Sequence, residues 1–269
     1  MPTLDAAACT QMLDALTEIA AGASEAILEV AGNAGVREKD DGSPVTAADD
    51  ASEAVICEGL KRLAPSVPIV SEEQASHDRP QTGSRGSYFL VDPLDGTKEF
   101  ISGNDEYTVN IAIVTDGVPI LGVIAAPAAG IIWCGVAGRG AKRLSLAGDR
   151  NTPAAIPVAI HARPRAGEEF VVMVSRSHLE ERTKAFLARF PQAVLKPCGS
   201  SVKFCRLAEG AADLYARLAP THDWDIAAGH AILTAAGGKV TTPDGSPLVY
   251  GSKELLIPAF LAFGDPAPL

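Results

Sequence analysis

Residues 88–91, Tyr-Phe-Leu-Val, run without a linker into Asp92-Pro93-Leu94-Asp95-Gly96-Thr97. Four consecutive apolar residues of this kind read as a strand buried on both faces. Carboxylates at the end of such a strand are held firmly beside a core that rejects unpaired charge, so the fold must open a polar cleft there. Pro93 fixes φ and Gly96 permits backbone that other residues resist. The chain is therefore expected to turn directly after Val91 and aim both Asp92 and Asp95 inward, about one metal–metal spacing apart (~3.5–4 Å in two-metal sites). The N–H groups of Gly96 and Thr97 can then cradle an anionic phosphate, and the Thr97 hydroxyl is placed to orient a water. Asp-Pro and Asp-Gly also punctuate ordinary turns, a reading the hexapeptide alone leaves open.

Other carboxylates share this position at the end of an apolar element. Glu72 and Glu73 follow Pro-Ile-Val-Ser, Asp225 starts an alanine-rich helix, and Asp49 opens another. Oxygen donors with no His or Cys at ligand spacing select a hard ion, Mg²⁺ before Zn²⁺. With 23 Lys+Arg against 33 Asp+Glu the formal charge is −10, which excludes nonspecific binding of a nucleic-acid polymer. A phosphorylated small molecule stays within reach if metal ions bring the positive charge. Among 269 residues 47% are hydrophobic, enough for a large core without disulfides. Cys9, Cys57, Cys134, Cys198 and Cys205 are scattered with no C-x-x-C pair, the usage of a reduced cytoplasmic protein. An acidic N-terminus argues against a signal peptide, and no apolar run spans a bilayer.

Apolar residues from Leu4 through Val30 recur at three- and four-residue steps, predicting an amphipathic helix ended by Gly32 and Gly35. A polar, turn-rich segment follows, then a helix over 47–63 and a short strand in Pro-Ile-Val-Ser-Glu-Glu. Residues 88–91, 107–115, 119–125 and 131–136 read as strands of an antiparallel meander, separated by turn residues. A linker is expected near 148–157, dividing the chain into 1–150 and 151–269. Beyond it, strands at 170–174 and 193–195 alternate with helices at 178–189, 200–209 and 225–236, an α/β pattern. Gly135-x-x-Gly138-x-Gly140 lacks the strand–helix context of a dinucleotide fingerprint. His77, His161, His178 and His230 show no metal spacing and read as structural.

These segments taken together resemble the lithium-sensitive, magnesium-dependent inositol monophosphatase superfamily. That family carries D-P-[ILM]-D-[GS]-[ST] and, later, W-D followed by a Gly pair. Here they stand as residues 92–97 and as Trp224-Asp225 with Gly237-Gly238, preceded in order by Lys39, Ser-Pro-Val-Thr-Ala-Ala-Asp ending at Asp49, and Ser71-Glu72-Glu73. The resemblance implies a five-layer αβαβα sandwich, α+β in its first half and α/β in its second, with metals between them. It implies one Mg²⁺ on Glu72, Asp92 and the Leu94 carbonyl, a second on Asp92, Asp95 and Asp225, and a third, weaker ion on Glu72. It also implies that Asp49 and Thr97 draw a proton from the attacking water with Glu72 assisting. Trp224, read from its place beside Asp225, is expected to pack the helix start and position that residue.

Within the superfamily, Lys98-Glu99-Phe100 and Gly199-Ser200-Ser201-Val202-Lys203-Phe204-Cys205 resemble the CysQ type of 3′(2′),5′-bisphosphate nucleotidase. That type removes the 3′-phosphate of adenosine 3′,5′-bisphosphate, a by-product of sulfate assimilation. The family's glutamate before W-D, which accepts from inositol hydroxyls, is replaced here, with a one-residue gap, by Arg217. A guanidinium fork suits a second phosphate, unless it pairs on the surface with Glu209 or Asp213. Gly96, Thr97, Gly199, Ser200, Ser201, Arg217 and Asp225 are thus the expected substrate contacts, with His222 either at the base or a loop residue and Lys39 either at a cleft anion or solvated. The rival readings are an inositol or broad sugar-phosphate phosphatase and, from another class, a non-catalytic metal- or nucleotide-sensing module. The resemblance leaves open a homodimer and peripheral association with the cytoplasmic side of the inner membrane.

Overall fold

The computed structural model describes residues 6–33, 35–39, 42–75, 86–146, 156–164, 169–177 and 179–265. Helix α1 (Ala6–Val30) buries Leu16, Ala23 and Ile27 of the expected stripe together with Leu13 and Ala20, leaves Met12, Ile19 and Val30 partly buried, and ends in a 3₁₀ turn over Ala31–Asn33. The polar segment after it pairs as a small hairpin, β1 (Val36–Glu38) with β2 (Pro44–Thr46). Thr46 then caps α2 (Ala47–Leu63) in a capping box whose N3 residue is Asp49.

Both helices cover one face of a seven-stranded sheet whose strands lie in chain order: β3 (Ile69–Ser71), β4 (Ser87–Asp95), β5 (Thr108–Thr115), β6 (Val118–Ala126), β7 (Ile131–Val136), β8 (Gly140–Ser145) and β9 (Val158–Ile160). All neighbours are antiparallel except β3 with β4. Two short helices, α3 (Glu72–Ala75) and α4 (Thr97–Ile101), leave the ends of β3 and β4. The meander matches the sequence expectation, but β9 lies beyond residue 150 and still pairs with β8, so the sheets do not divide where the expected halves do. Most of the expected linker falls outside the described residues.

The second sheet runs in the order β11 (Val194–Cys198), β10 (Val171–Ser175), β12 (Leu214–Arg217), β16 (Phe260–Phe263), β14 (Lys239–Thr241). Its first three strands are parallel, as the alternating pattern predicts, and β16 runs antiparallel between β12 and β14. Helix α5 (Glu181–Leu187), shorter than the expected 178–189, covers its outer face. Between the two sheets lie α6 (Val202–Ala208) and α7 (Asp223–Ala235), and a short pair, β13 (Thr221–His222) with β15 (Leu256–Ile257), borders the start of α7. The layers are therefore α1/α2, sheet, α6/α7, sheet, α5, the αβαβα order that the resemblance implies.

The central layer packs closely. A Cβ on Gly122 of β6 would stand 2.3 Å from the Ala228 carbonyl oxygen, so only glycine lets α7 lie this near the first sheet. That contact fixes the start of α7, and with it Asp225, relative to the end of β4.

Candidate active site

The expected turn after Val91 takes a different form. Strand β4 continues to Asp95, with Asp92 opposite Asn110 and Asp95 opposite Thr108. Three steps on one strand against two on the other make a bulge, which is where a strand tolerates Pro93. Residues three apart in a regular strand face opposite ways. The bulge cancels that alternation: Asp92 and Asp95 share the face of Thr108 and Asn110, the face turned toward α7. Gly96 follows at φ +95°, a left-handed conformation that carries the chain into α4.

Four further acids converge on this point from three elements, α2, α3 and α7. Asp49 uses Oδ2 to accept from the Thr46 N–H and hydroxyl, while its Oδ1 lies 3.2 Å from Thr97 Oγ1. The Thr97 hydroxyl is also 3.3 Å from the Leu94 carbonyl. Glu72 and Glu73, at the end of β3, both accept from Lys39 Nζ, at 2.8 and 2.6 Å. Asp225 accepts from the His222 N–H at 3.0 Å and from the Thr221 hydroxyl. Ser201 Oγ bridges Asp95 Oδ2 (2.8 Å) and the Asp225 carbonyl (2.6 Å), tying the two sheets' contributions together.

Electrostatics mark the cluster as strained by its own charge. Burial, then the charges of Glu72, Asp95, Asp225 and Asp49, hold the Asp92 carboxyl well above the usual carboxylate range. Burial also pushes Glu72 up to about 7, with Asp225 and Asp49 adding to it and Lys39 opposing. Burial and the Asp95 charge push Asp225 up to about 6. Asp49 is raised by burial against the pull of Thr46. Lys39 is held above its ordinary value: burial would lower it, but Glu72 and Glu73 outweigh that. Among the described residues no three such side chains are drawn tightly enough to hold an ion as they stand. The reason is visible in their partners: Glu72 leans on Lys39, Asp95 on Ser201 and Asp225 on Thr221, as repelling carboxylates must. An all-oxygen set in which each member raises its neighbours is the set that divalent cations relieve, so the residues fit a hard metal centre.

Beside the acids lies a cavity of about 240 Å³, lined by Glu72, Asp95–Glu99, Ser175, Gly199–Ser201, Lys203, Tyr215, Arg217, Thr221 and Asp225. The carboxyl ends of the parallel strands β10, β11 and β12 open onto it, the usual place for a ligand in such sheets. Arg217 faces this space. Its Nη2 donates to the Pro220 carbonyl at 3.3 Å, and its buried Nε has no partner among the described residues. The surface alternatives are closed, because Asp213 is gripped by Arg163 and Glu209 by Trp133, Arg143 and Arg206. Ser200 Oγ is likewise buried and unpartnered, on a residue at φ +43°. Two expected contacts have other engagements. The Gly199 N–H donates to Glu106 Oε2 at 2.6 Å, and Ser201 is spent on Asp95 and Asp225. Lys203 escaped the sequence reading: a lysine on a helix reads as solvated, yet this one is buried, donates to the Cys198 carbonyl at 3.2 Å and lines the cavity. His222 is exposed and stacks on Trp224 with ring centroids 4.5 Å apart. His230 pairs with Tyr250; His77 and His178 lie outside the described residues.

The sequence profile of the inositol monophosphatase family matches residues 9–264, and the chain belongs to that family. Its members are metal-dependent phosphatases, the class of enzyme that this fold and donor set define. The chain is 43% identical over 256 residues to the 3′(2′),5′-bisphosphate nucleotidase CysQ of Escherichia coli K12, covering 93% of this chain and 98% of that protein. Its fold superposes on the crystal structure of CysQ from Bacteroides thetaiotaomicron with a TM-score of 0.82 at 34% identity, covering 96% of this chain and 98% of the other. An inositol monophosphatase structure from Anabaena gives a TM-score of 0.74 at 26% identity, with 96% and 92% covered.

Proposed function

We propose that the chain is a Mg²⁺-dependent 3′(2′),5′-bisphosphate nucleotidase that converts adenosine 3′,5′-bisphosphate to AMP and phosphate, in a cytoplasmic role linked to sulfate assimilation. The observation that carries this reading is a cavity in which an acidic wall faces two cations, the buried Lys203 and the half-buried Arg217, with the exposed Lys98 at its rim. A monoester hydrolysed at the acids needs no second cationic pocket, whereas a bisphosphate does. The similarity to CysQ nucleotidases points the same way.

Glu72, Asp92 and the Leu94 carbonyl suit one ion, Asp92, Asp95 and Asp225 a second, and Glu72 a third, weaker one. When bound, the ions supply the positive charge that an in-line displacement needs on its attacking and leaving oxygens. The chain's own groups do the rest. Thr97, hydrogen-bonded to Asp49, takes up the proton of the attacking water, and the raised affinity of buried Asp49 for a proton makes it the acceptor behind Thr97. Glu72 assists. The Gly96 and Thr97 N–H groups turn toward the reacting phosphate, while Arg217, Lys203 and the Ser200 hydroxyl hold the second one. A cavity of about 240 Å³ falls just below the usual range of ligand sites (~300–1,000 Å³), room for a phosphorylated ribose with the base at its mouth.

The test is phosphate release from adenosine 3′,5′-bisphosphate and from inositol 1-phosphate, each with Mg²⁺, with and without lithium. We expect the nucleotide to be strongly preferred and lithium to inhibit. A clear preference for inositol 1-phosphate would overturn the nucleotidase reading while leaving the metal centre in place.

A further inference from the structure

Two limbs supply much of the cavity lining, beside residues of β2, α3 and α7. One is the bulged end of β4 with α4, which supplies Asp95 to Glu99; the other is the carboxyl ends of β10, β11 and β12. Two glutamates from the first limb reach across to the second. Glu99, only 8% exposed, accepts from Ser177 Oγ at 2.5 Å. Glu106 takes a two-pronged grip from Arg176, Nε and Nη2 each at 2.9 Å, and the same carboxylate accepts the Gly199 N–H at 2.6 Å. A Cβ on Gly199 would stand 2.7 Å from the Glu106 carbonyl oxygen, so the two backbones are in direct contact there. Residues 176, 177 and 199 lie just past the ends of β10 and β11, beside Ser175, Ser200 and Ser201.

We propose that Glu99 and Glu106 are positioning residues that hold the Arg176–Ser177 turn and the Gly199 loop against the aspartate limb, and so set the width of the substrate cavity. The inference rests on the bisphosphate reading of that cavity and adds to it a part that touches neither ions nor ester. Acidic side chains beside an anion site would repel the ligand if they faced it. Here Arg176 and the Gly199 N–H engage both oxygens of Glu106, which neutralises Arg176 and orients the loop that carries Ser200, while Glu99, which also lines the cavity, is tied by one oxygen to Ser177. An exposed ion pair alone contributes little. The charge-assisted bond to the Gly199 N–H, shielded by the backbone contact, is the stronger part of the device.

Steady-state kinetics with Mg²⁺ and adenosine 3′,5′-bisphosphate, together with hydrogen exchange of the 198–202 segment, test this. For Glu106→Ala, KM should rise roughly tenfold with kcat within about twofold, the pattern of lost uniform binding. Exchange at the Gly199 amide should speed up. Glu106→Gln keeps an acceptor for Gly199 and should recover most of the KM, and Arg176→Ala, at the exposed end, should match it. Arg176→Ala added to Glu106→Ala should do nothing more. If Glu106→Ala does not fold, Glu106→Asp, whose shorter side chain draws the acceptor back from the Gly199 N–H, carries the same expectation of faster Gly199 exchange and a raised KM. Unchanged exchange at Gly199, or a fall in kcat and melting temperature at constant KM, would overturn the inference. A parent enzyme that fails to hydrolyse the bisphosphate would instead overturn the function, and the exchange result would still decide the clamp.

Discussion

Asp95 accepts hydrogen bonds from Ser201 and, at 3.4 Å, from Asn110, and its charge bears on two other acids, Asp92 and Asp225. Asp95→Asn keeps the shape and removes the charge. Phosphate release should fall by at least about a hundredfold, the scale of losing one preorganised electrostatic group. The metal-free variant should melt no lower than the parent, because a repelling carboxylate is gone; a variant that turns over normally would refute its assignment as a cation ligand. Arg217 makes a different prediction. Arg217→Ala should raise KM for adenosine 3′,5′-bisphosphate by about ten- to a hundredfold, and Arg217→Lys should restore only part, since a point charge cannot replace the fork. Steady-state KM values decide it, and equal KM in all three proteins would contradict a phosphate role. That Asp49, Glu72, Asp92 and Asp225 would gather in one place was legible because each stands at the border of an apolar element, and Thr97 because it closes the turn after Asp95. Lys203, Glu99 and Glu106 were not: alone each reads as a solvated charge, the partners of the two glutamates come from distant chain segments, and nothing local announces that Lys203 is buried.

At the level of elements, the bulge in β4 and the approach of α7 are what bring the acids together. The meander and the alternating second half could be read from apolar runs and turn residues. The bulge could not, since Pro93 and Gly96 announce a break without saying that pairing resumes at Asp95. Strand β9 was missed because three residues beside prolines carry little periodic signal, and β16 because its antiparallel place between β12 and β14 is a long-range pairing. The α7 contact yields a prediction of its own. Gly122→Ala drives a methyl into the Ala228 carbonyl, so it should cost about 1–3 kcal/mol of stability or more. The shift should also move Asp225 and lower activity. Denaturant unfolding and phosphate release measured on the same preparation check both, and a variant as stable and active as the parent would mean that α7 need not sit so close.

For the molecule as a whole, stability should respond to pH through groups away from the acids as well as through them. Burial pushes His230 down to about 4 from an ordinary 6.5, so the folded protein keeps it neutral, with Nδ1 2.9 Å from the Tyr250 hydroxyl. The sign follows: the contribution is present above the unfolded value near 6.5 and is lost as pH falls toward 4, because only the unfolded chain then takes up the proton. Compared with His230→Asn, the parent should therefore lose about 2 kcal/mol between pH 7 and pH 4.5. Denaturant midpoints across that range measure the difference, and parallel curves would contradict it. The acids slope the other way: with folded values raised by burial and mutual repulsion, they cost stability as pH rises through about 6 to 7, where divalent cations should recover it. Cations holding this acidic cluster together are the central claim, and its most direct measurement is hydrolysis of adenosine 3′,5′-bisphosphate through a cycle of chelation and Mg²⁺ return. Activity should disappear with the chelator and come back with Mg²⁺; turnover that continues undiminished in the chelator would contradict the account.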